Sequence, residues 1–168
     1  SGATVSLAGA GGSTYVSLAS GTTISNTATS GYAINSNTSS DTTLTIANAG
    51  SITVGNNSGS YAINMNDASG GSSLVINNTG TISAGSSGTA INLGDSGNVL
   101  TLSNTSAGAI TGAITVGANN ASITNNSSGG IAGAISATTG DLDITNTSGT
   151  ITGNINLGSN SSSTLALN

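Results

Sequence analysis

The chain has 168 residues, a formal net charge of −5, and charged side chains at 3% of its positions, against about a quarter in ordinary soluble domains. It contains no Lys, Arg, His, Cys, Pro, Trp or Phe, so it offers no thiolate, no imidazole base, no zinc-type ligand set, and no cation to meet nucleic acid or an anionic membrane. No apolar run approaches the roughly 18 residues of a spanning helix, so the expectation is a non-enzymatic chain with no cofactor, no nucleic-acid partner and no membrane insertion by this segment.

The length suits a single domain. Low charge and recurring Ile, Val, Thr and Leu argue for strands and against disorder. Residues 1–21 are Gly-rich and carry two short alternating runs, Val5-Ser6-Leu7 and Val16-Ser17-Leu18. They are expected to form a Gly-rich N-terminal segment or an irregular first coil. From residue 22 to 168 a repeat takes over: a short apolar strand that ends in Asn.

Taken along the chain, those strands end at Asn26, Asn48, Asn78, Asn104, Asn125, Asn146 and Asn168, with spacings of 22, 30, 26, 21, 21 and 22 residues. Such spacing fits one solenoid coil per repeat, with elastic inserts. A second strand follows each Asn. It reads Ser51-Ile52-Thr53-Val54 and Thr81-Ile82-Ser83 early, and Ile110-Thr111-Gly112-Ala113-Ile114 or its relatives at 131–135 and 151–155 later. The longer coils add what reads as an optional third strand, at Tyr32-Ala33-Ile34-Asn35, Tyr61-Ala62-Ile63-Asn64 and Ala90-Ile91-Asn92.

Alternation places Ile, Leu and Val inward and Thr, Ser or Asn outward. No Asn-Gly pair occurs, although that pair is the strongest short hairpin signal. The fold class expected is therefore all-β: a single-domain parallel β-helix, or β-solenoid, of about seven coils of 21–30 residues. Coils about 4.8 Å apart make a rod about 30–35 Å long. The seven strand-terminal Asn residues are expected to stack as a hydrogen-bonded ladder.

The segments NTGTISAG at 78–85 and NTSGTITGNINLG at 146–158 resemble coils of the passenger domains of bacterial autotransporters. The resemblance implies a right-handed parallel β-helix on or outside a bacterial outer membrane, used for adhesion, aggregation or display. No membrane-barrel segment accompanies it.

Three groups of side chains are candidate sites. Asp41, Asp67 and Asp95 fall one per coil, before the Asn-ending strand, and are weak candidates for a Ca²⁺ site, set against their reading as solvated turn residues. Asp141 and Asp143 flank Leu142 and share a strand face, but have no cation or large aromatic to make a sugar-cleaving pair of them. Thr53, Ser83, Thr115, Ser136 and Asn156 are expected to form one small-polar stripe. Of the tyrosines, Tyr32 and Tyr61 hold equivalent places and are expected to stack on each other.

The sequence stops on Asn168 with no capping residues, which points to a piece of a longer helix or to copies associating end to end. Three functions follow in order: an extracellular or bacterial cell-surface stalk or adhesin segment, a head-to-tail fibre subunit, and an ice- or ligand-binding solenoid. Partners are expected to be further copies or a host or neighbouring cell surface.

Overall fold

The computed structural model describes residues 2–8, 11–37, 41–66 and 70–168. Its first coil holds β1 (Ala3–Leu7), β2 (Gly12–Leu18) and β3 (Thr23–Asn26). The second holds β4 (Gly31–Ser36), β5 (Thr42–Asn48) and β6 (Ser51–Val54). The third holds β7 (Ser60–Met65), β8 (Ser73–Asn78) and β9 (Thr81–Ser83), and the fourth β10 (Thr89–Leu93), β11 (Val99–Ser106) and β12 (Ala109–Thr111). The fifth is β13 (Ala113–Gly117), β14 (Asn120–Ser127) and β15 (Ile131–Ala132), and the sixth β16 (Ile135–Ala137), β17 (Leu142–Ser148) and β18 (Ile151–Thr152). β19 (Ile155–Asn156) and β20 (Thr164–Leu167) begin a seventh.

Every strand pairs in parallel with its counterpart one coil away, giving three sheets of seven, seven and six strands. Sheet one runs from β1 to β19, sheet two from β2 to β20, and sheet three from β3 to β18. The protein is a parallel β-solenoid of about seven coils. Among the described residues no helix is long and apolar enough to cross a membrane.

Period-2 alternation explains the core. Each sheet sends at least one column of branched aliphatics inward, because stacked in-register strands align like with like. Sheet three contributes Ile24, Ile52, Ile82, Ile110, Ile131 and Ile151. Sheet one contributes Ile34, Ile63, Ile91, Ile114, Ile135 and Ile155. Sheet two contributes Ile46, Ile76, Leu102, Ile123 and Ile144. Most of these are fully buried, and each full burial is favourable by about 1.5–3 kcal/mol. A core this narrow is filled without rings.

Two expectations on strand count and repeat length are corrected. The third strand is not optional: the Tyr32 strand of a long coil and the Ala113 strand of a short one occupy the same sheet. The run Ile-x-Gly-x-Ile at 110–114 is two strands, β12 and β13, meeting at Gly112 with φ +116°. Glycine makes that one-residue corner because its φ lies where a side chain is strained. Long coils spend four or five residues on the same corner, at 27–30 and 55–59. Register also resets the repeat. Equivalent positions in sheet two are Leu18, Asn48, Asn78, Asn104, Asn125, Asn146 and Leu167, so the coils advance by 30, 30, 26, 21, 21 and 21 residues. The segment 1–21 contains β1 and β2, which pair in register with β4 and β5.

Candidate functional site

The asparagine ladder exists, with five rungs. Asn48, Asn78, Asn104, Asn125 and Asn146 are successive register partners at or two residues before the ends of β5, β8, β11, β14 and β17. Each of the first four donates Nδ2–H to Oδ1 of the next, at 2.8, 2.8, 2.8 and 2.6 Å. The second N–H of each rung goes to a main-chain carbonyl at or beside the bend into sheet three, such as Gly80 from Asn78 at 3.1 Å and Gly108 from Asn104 at 3.0 Å. The rungs are buried, so these bonds satisfy groups that would otherwise be costly to desolvate.

Asn26 and Asn168 are not rungs. Asn26 lies in β3, opposite Val54 in sheet three, and its amide donates instead to the carbonyls of Gly2 and Tyr32, at 2.8 and 2.9 Å. Asn168 lies one residue past the rung position, which Leu167 fills. Leu18 fills it in the first coil. Asn48 Oδ1 consequently has no hydrogen-bond partner among the described residues, since its neighbour in the column is apolar.

Two further polar stacks were not read from the sequence. On the outer face of sheet one, Asn92 donates to Asn64 and Asn64 to Asn35, each at 2.7 Å. The shared Ala-Ile-Asn of those three strands could have identified it. At the bend from sheet one into sheet two, Thr42 N–H donates to Ser72 Oγ, Ser72 N–H to Asn98 Oδ1 and Asn98 N–H to Asn119 Oδ1, at 2.8, 3.1 and 2.8 Å. The accepting side chain is a serine in one coil and an asparagine in the next two, so no single motif marks it.

The acidic candidates do not converge. Asp41 aligns in register with Gly71 and Gly97, two residues beyond Asp95, and Asp67 lies outside the described residues. Among the described residues no group of three or more His, Cys, Asp or Glu could hold a metal. Asp141 and Asp143 flank buried Leu142: Asp143 is exposed, whereas Asp141 is half-buried and its Oδ1 has no hydrogen-bond partner among the described residues. Asp143 accepts hydrogen bonds from Thr164 N–H and Oγ1–H, at 3.1 and 2.6 Å, and so serves as a rung between strands.

The expected small-polar stripe divides between two sheets. Thr53 and Ser83 lie on sheet three in a column with Ser25, Thr111, Ala132 and Thr152. Thr115, Ser136 and Asn156 lie on sheet one. The cause is the corner at Gly112, which turns the chain between Thr111 and Thr115. Tyr32 and Tyr61 do stack, with ring centroids 5.5 Å apart and planes at 21°, whereas Tyr15 stands exposed on sheet two. Set against protein-family models, curated proteins and solved structures, the chain matches none of the three.

Proposed function

We propose that the chain is a non-enzymatic structural and adhesive segment of an extracellular or cell-surface protein, of the type of an autotransporter passenger. The observation that carries this reading is where the polar chemistry is spent. The buried amides tie coil to coil in a ladder, and the outward column of sheet three is mostly Ser and Thr, at Ser25, Thr53, Ser83, Thr111 and Thr152. Such a stack suits holding and spacing rather than reacting, because its groups are already committed to each other. The likeness of residues 78–85 and 146–158 to autotransporter coils supports the location.

The test is adhesion with imaging of the same preparation. Beads coated with the purified chain are expected to be retained on fixed epithelial or bacterial cell layers several-fold above albumin-coated beads, while electron microscopy shows short rods. Retention at the albumin level contradicts the adhesive role. Long unbranched filaments would move the assignment to a fibre subunit built by end-to-end stacking.

A further inference from the structure

The outer face of sheet one in the long coils has features that a bare stalk does not require. The stacked pair Tyr32 and Tyr61 is followed in its column by Thr89. The face of the Tyr61 ring turned toward that coil therefore has no second ring against it. Beside the rings runs the outer ladder of Asn35, Asn64 and Asn92, and next to it stand Asn37 and Asn66, both exposed. These side chains line one groove of about 230 Å³.

The chemistry of that lining selects a ligand class. Among the described residues it consists of two phenols and five carboxamides, none of them charged. A carboxamide has two donors and two acceptor lone pairs. Each ladder Asn uses at most one of each on its neighbours, which leaves donor and acceptor capacity unspent on half-buried Asn35 and Asn92 and on buried Asn64. Tyrosine adds an apolar face with a polar tip. A partner that meets all of this is neutral, carries vicinal donor–acceptor groups, and presents one apolar face. That describes a pyranose ring. The full set of one Tyr and two Asn recurs on two successive coils, Tyr32, Asn35 and Asn37 and then Tyr61, Asn64 and Asn66, about 4.8 Å apart along the solenoid axis.

We infer that this groove binds a neutral glycan, with the C–H face of one sugar against Tyr61 and hydroxyls paired with the amides of Asn35, Asn64 and Asn92. The inference rests on the adhesive reading in naming what the adhesive surface holds. The groove ends where the coils shorten, since Ala113 follows Thr89 and Thr115 follows Asn92 in their columns.

The solenoid itself supplies the variants. Tyr32→Thr with Tyr61→Thr copies Thr89, and Asn66→Gly copies Gly94, which takes the same register position after Leu93. The wild-type chain is applied to an array of neutral oligosaccharides covering α-glucans, β-glucans, mannans and galactans, and hits are measured by calorimetry. The expected result is at least one hit, weakened at least about tenfold in the double tyrosine variant and less in Asn66→Gly. Its affinity is expected to be unchanged between about 0.05 M and about 0.5 M NaCl, because no charge pair is involved. NMR of the wild type reads the site without a variant: Tyr32 and Tyr61 ring signals shift on titration with the hit, while Tyr15, on another sheet, does not.

No hit on the array overturns the inference, as does binding lost in salt, binding retained by the double variant, or shifts confined to Tyr15. Beads that adhere without any soluble glycan binding would refute this inference alone. Soluble glycan binding by a chain whose beads do not adhere would refute the adhesive reading alone.

Discussion

Asn104 has both amide hydrogens and its carbonyl oxygen engaged: it accepts from Asn78 and donates to Asn125 Oδ1 and to the carbonyls of Gly108 and Gly130. Asn104→Ala leaves several of these groups buried without partners, and removing one partner of a buried hydrogen bond costs more than the bond's net worth. A loss of about 3 kcal/mol or more is expected in urea unfolding. The ladder's first rung offers the converse experiment. Asn48 Oδ1 is orphaned beneath Leu18, so Leu18→Asn adds a donor where Leu18→Ala leaves a cavity. Leu18→Asn is expected to be the milder of the two, with Leu18→Ala costing about 2–5 kcal/mol. A Leu18→Asn variant as unstable as the alanine one would mean that the column is not a continuous ladder there. At this scale the sequence was legible wherever Asn ended an inward strand of sheet two. It misled at Asn26 and Asn168 because an Asn closing a short apolar-polar strand looks alike in any sheet; register alone separates them, and register depends on contacts a full coil away.

Elements were legible as strands from alternation, and the inward Ile and Leu columns follow directly from it. The corners were not. Ile110-Thr111-Gly112-Ala113-Ile114 keeps apolar and small residues at strand-like intervals straight through a turn, so it reads as one strand, and nothing local distinguishes it from one. The glycine carries the distinction. Gly112 and Gly12 have nearly the same φ, +116° and +114°, but a Cβ on Gly112 would lie 3.0 Å from the carbonyl oxygens of Gly85 and Gly88, whereas one on Gly12 would meet nothing within 4 Å. The conformational penalty of alanine is thus common to both, about 1–3 kcal/mol. Gly112→Ala is expected to cost at least about 1 kcal/mol more than Gly12→Ala, from overpacking against the coil above. Equal losses in thermal or urea unfolding would show that position 112 is not a tight corner. The candidate Asp stack failed for a related reason: Asp41 immediately precedes β5, whereas three residues separate Asp95 from β11, so one acid per coil does not mean one register.

Across the whole molecule, coil contacts only coil, and stability is expected to add up along the axis as in other solenoids. Deleting residues 105–125 removes one 21-residue coil and leaves Asn104 in register with Asn146. That variant is expected to keep its strand circular dichroism, with an m-value in urea lower by roughly the share of one coil in seven. Deleting 105–115 cuts a coil midway and is expected to unfold the stack. Equal behaviour of the two deletions would contradict the modular account. Solenoid architecture was legible at this scale because periodicity is a global property of the sequence, readable even where individual positions are misassigned. The outer groove beside Tyr61 was not, since it exists where three coils align their outward side chains.

The most direct test of the central claim, a continuous parallel stack held by a five-rung buried ladder, is side-chain amide hydrogen exchange by NMR. Nδ2 protons of Asn48, Asn78, Asn104 and Asn125, donors to buried partners, are expected to exchange orders of magnitude more slowly than those of Asn168, which lies outside the ladder. Uniformly fast exchange across all of these amides, in a chain that retains its strand spectrum, would contradict it.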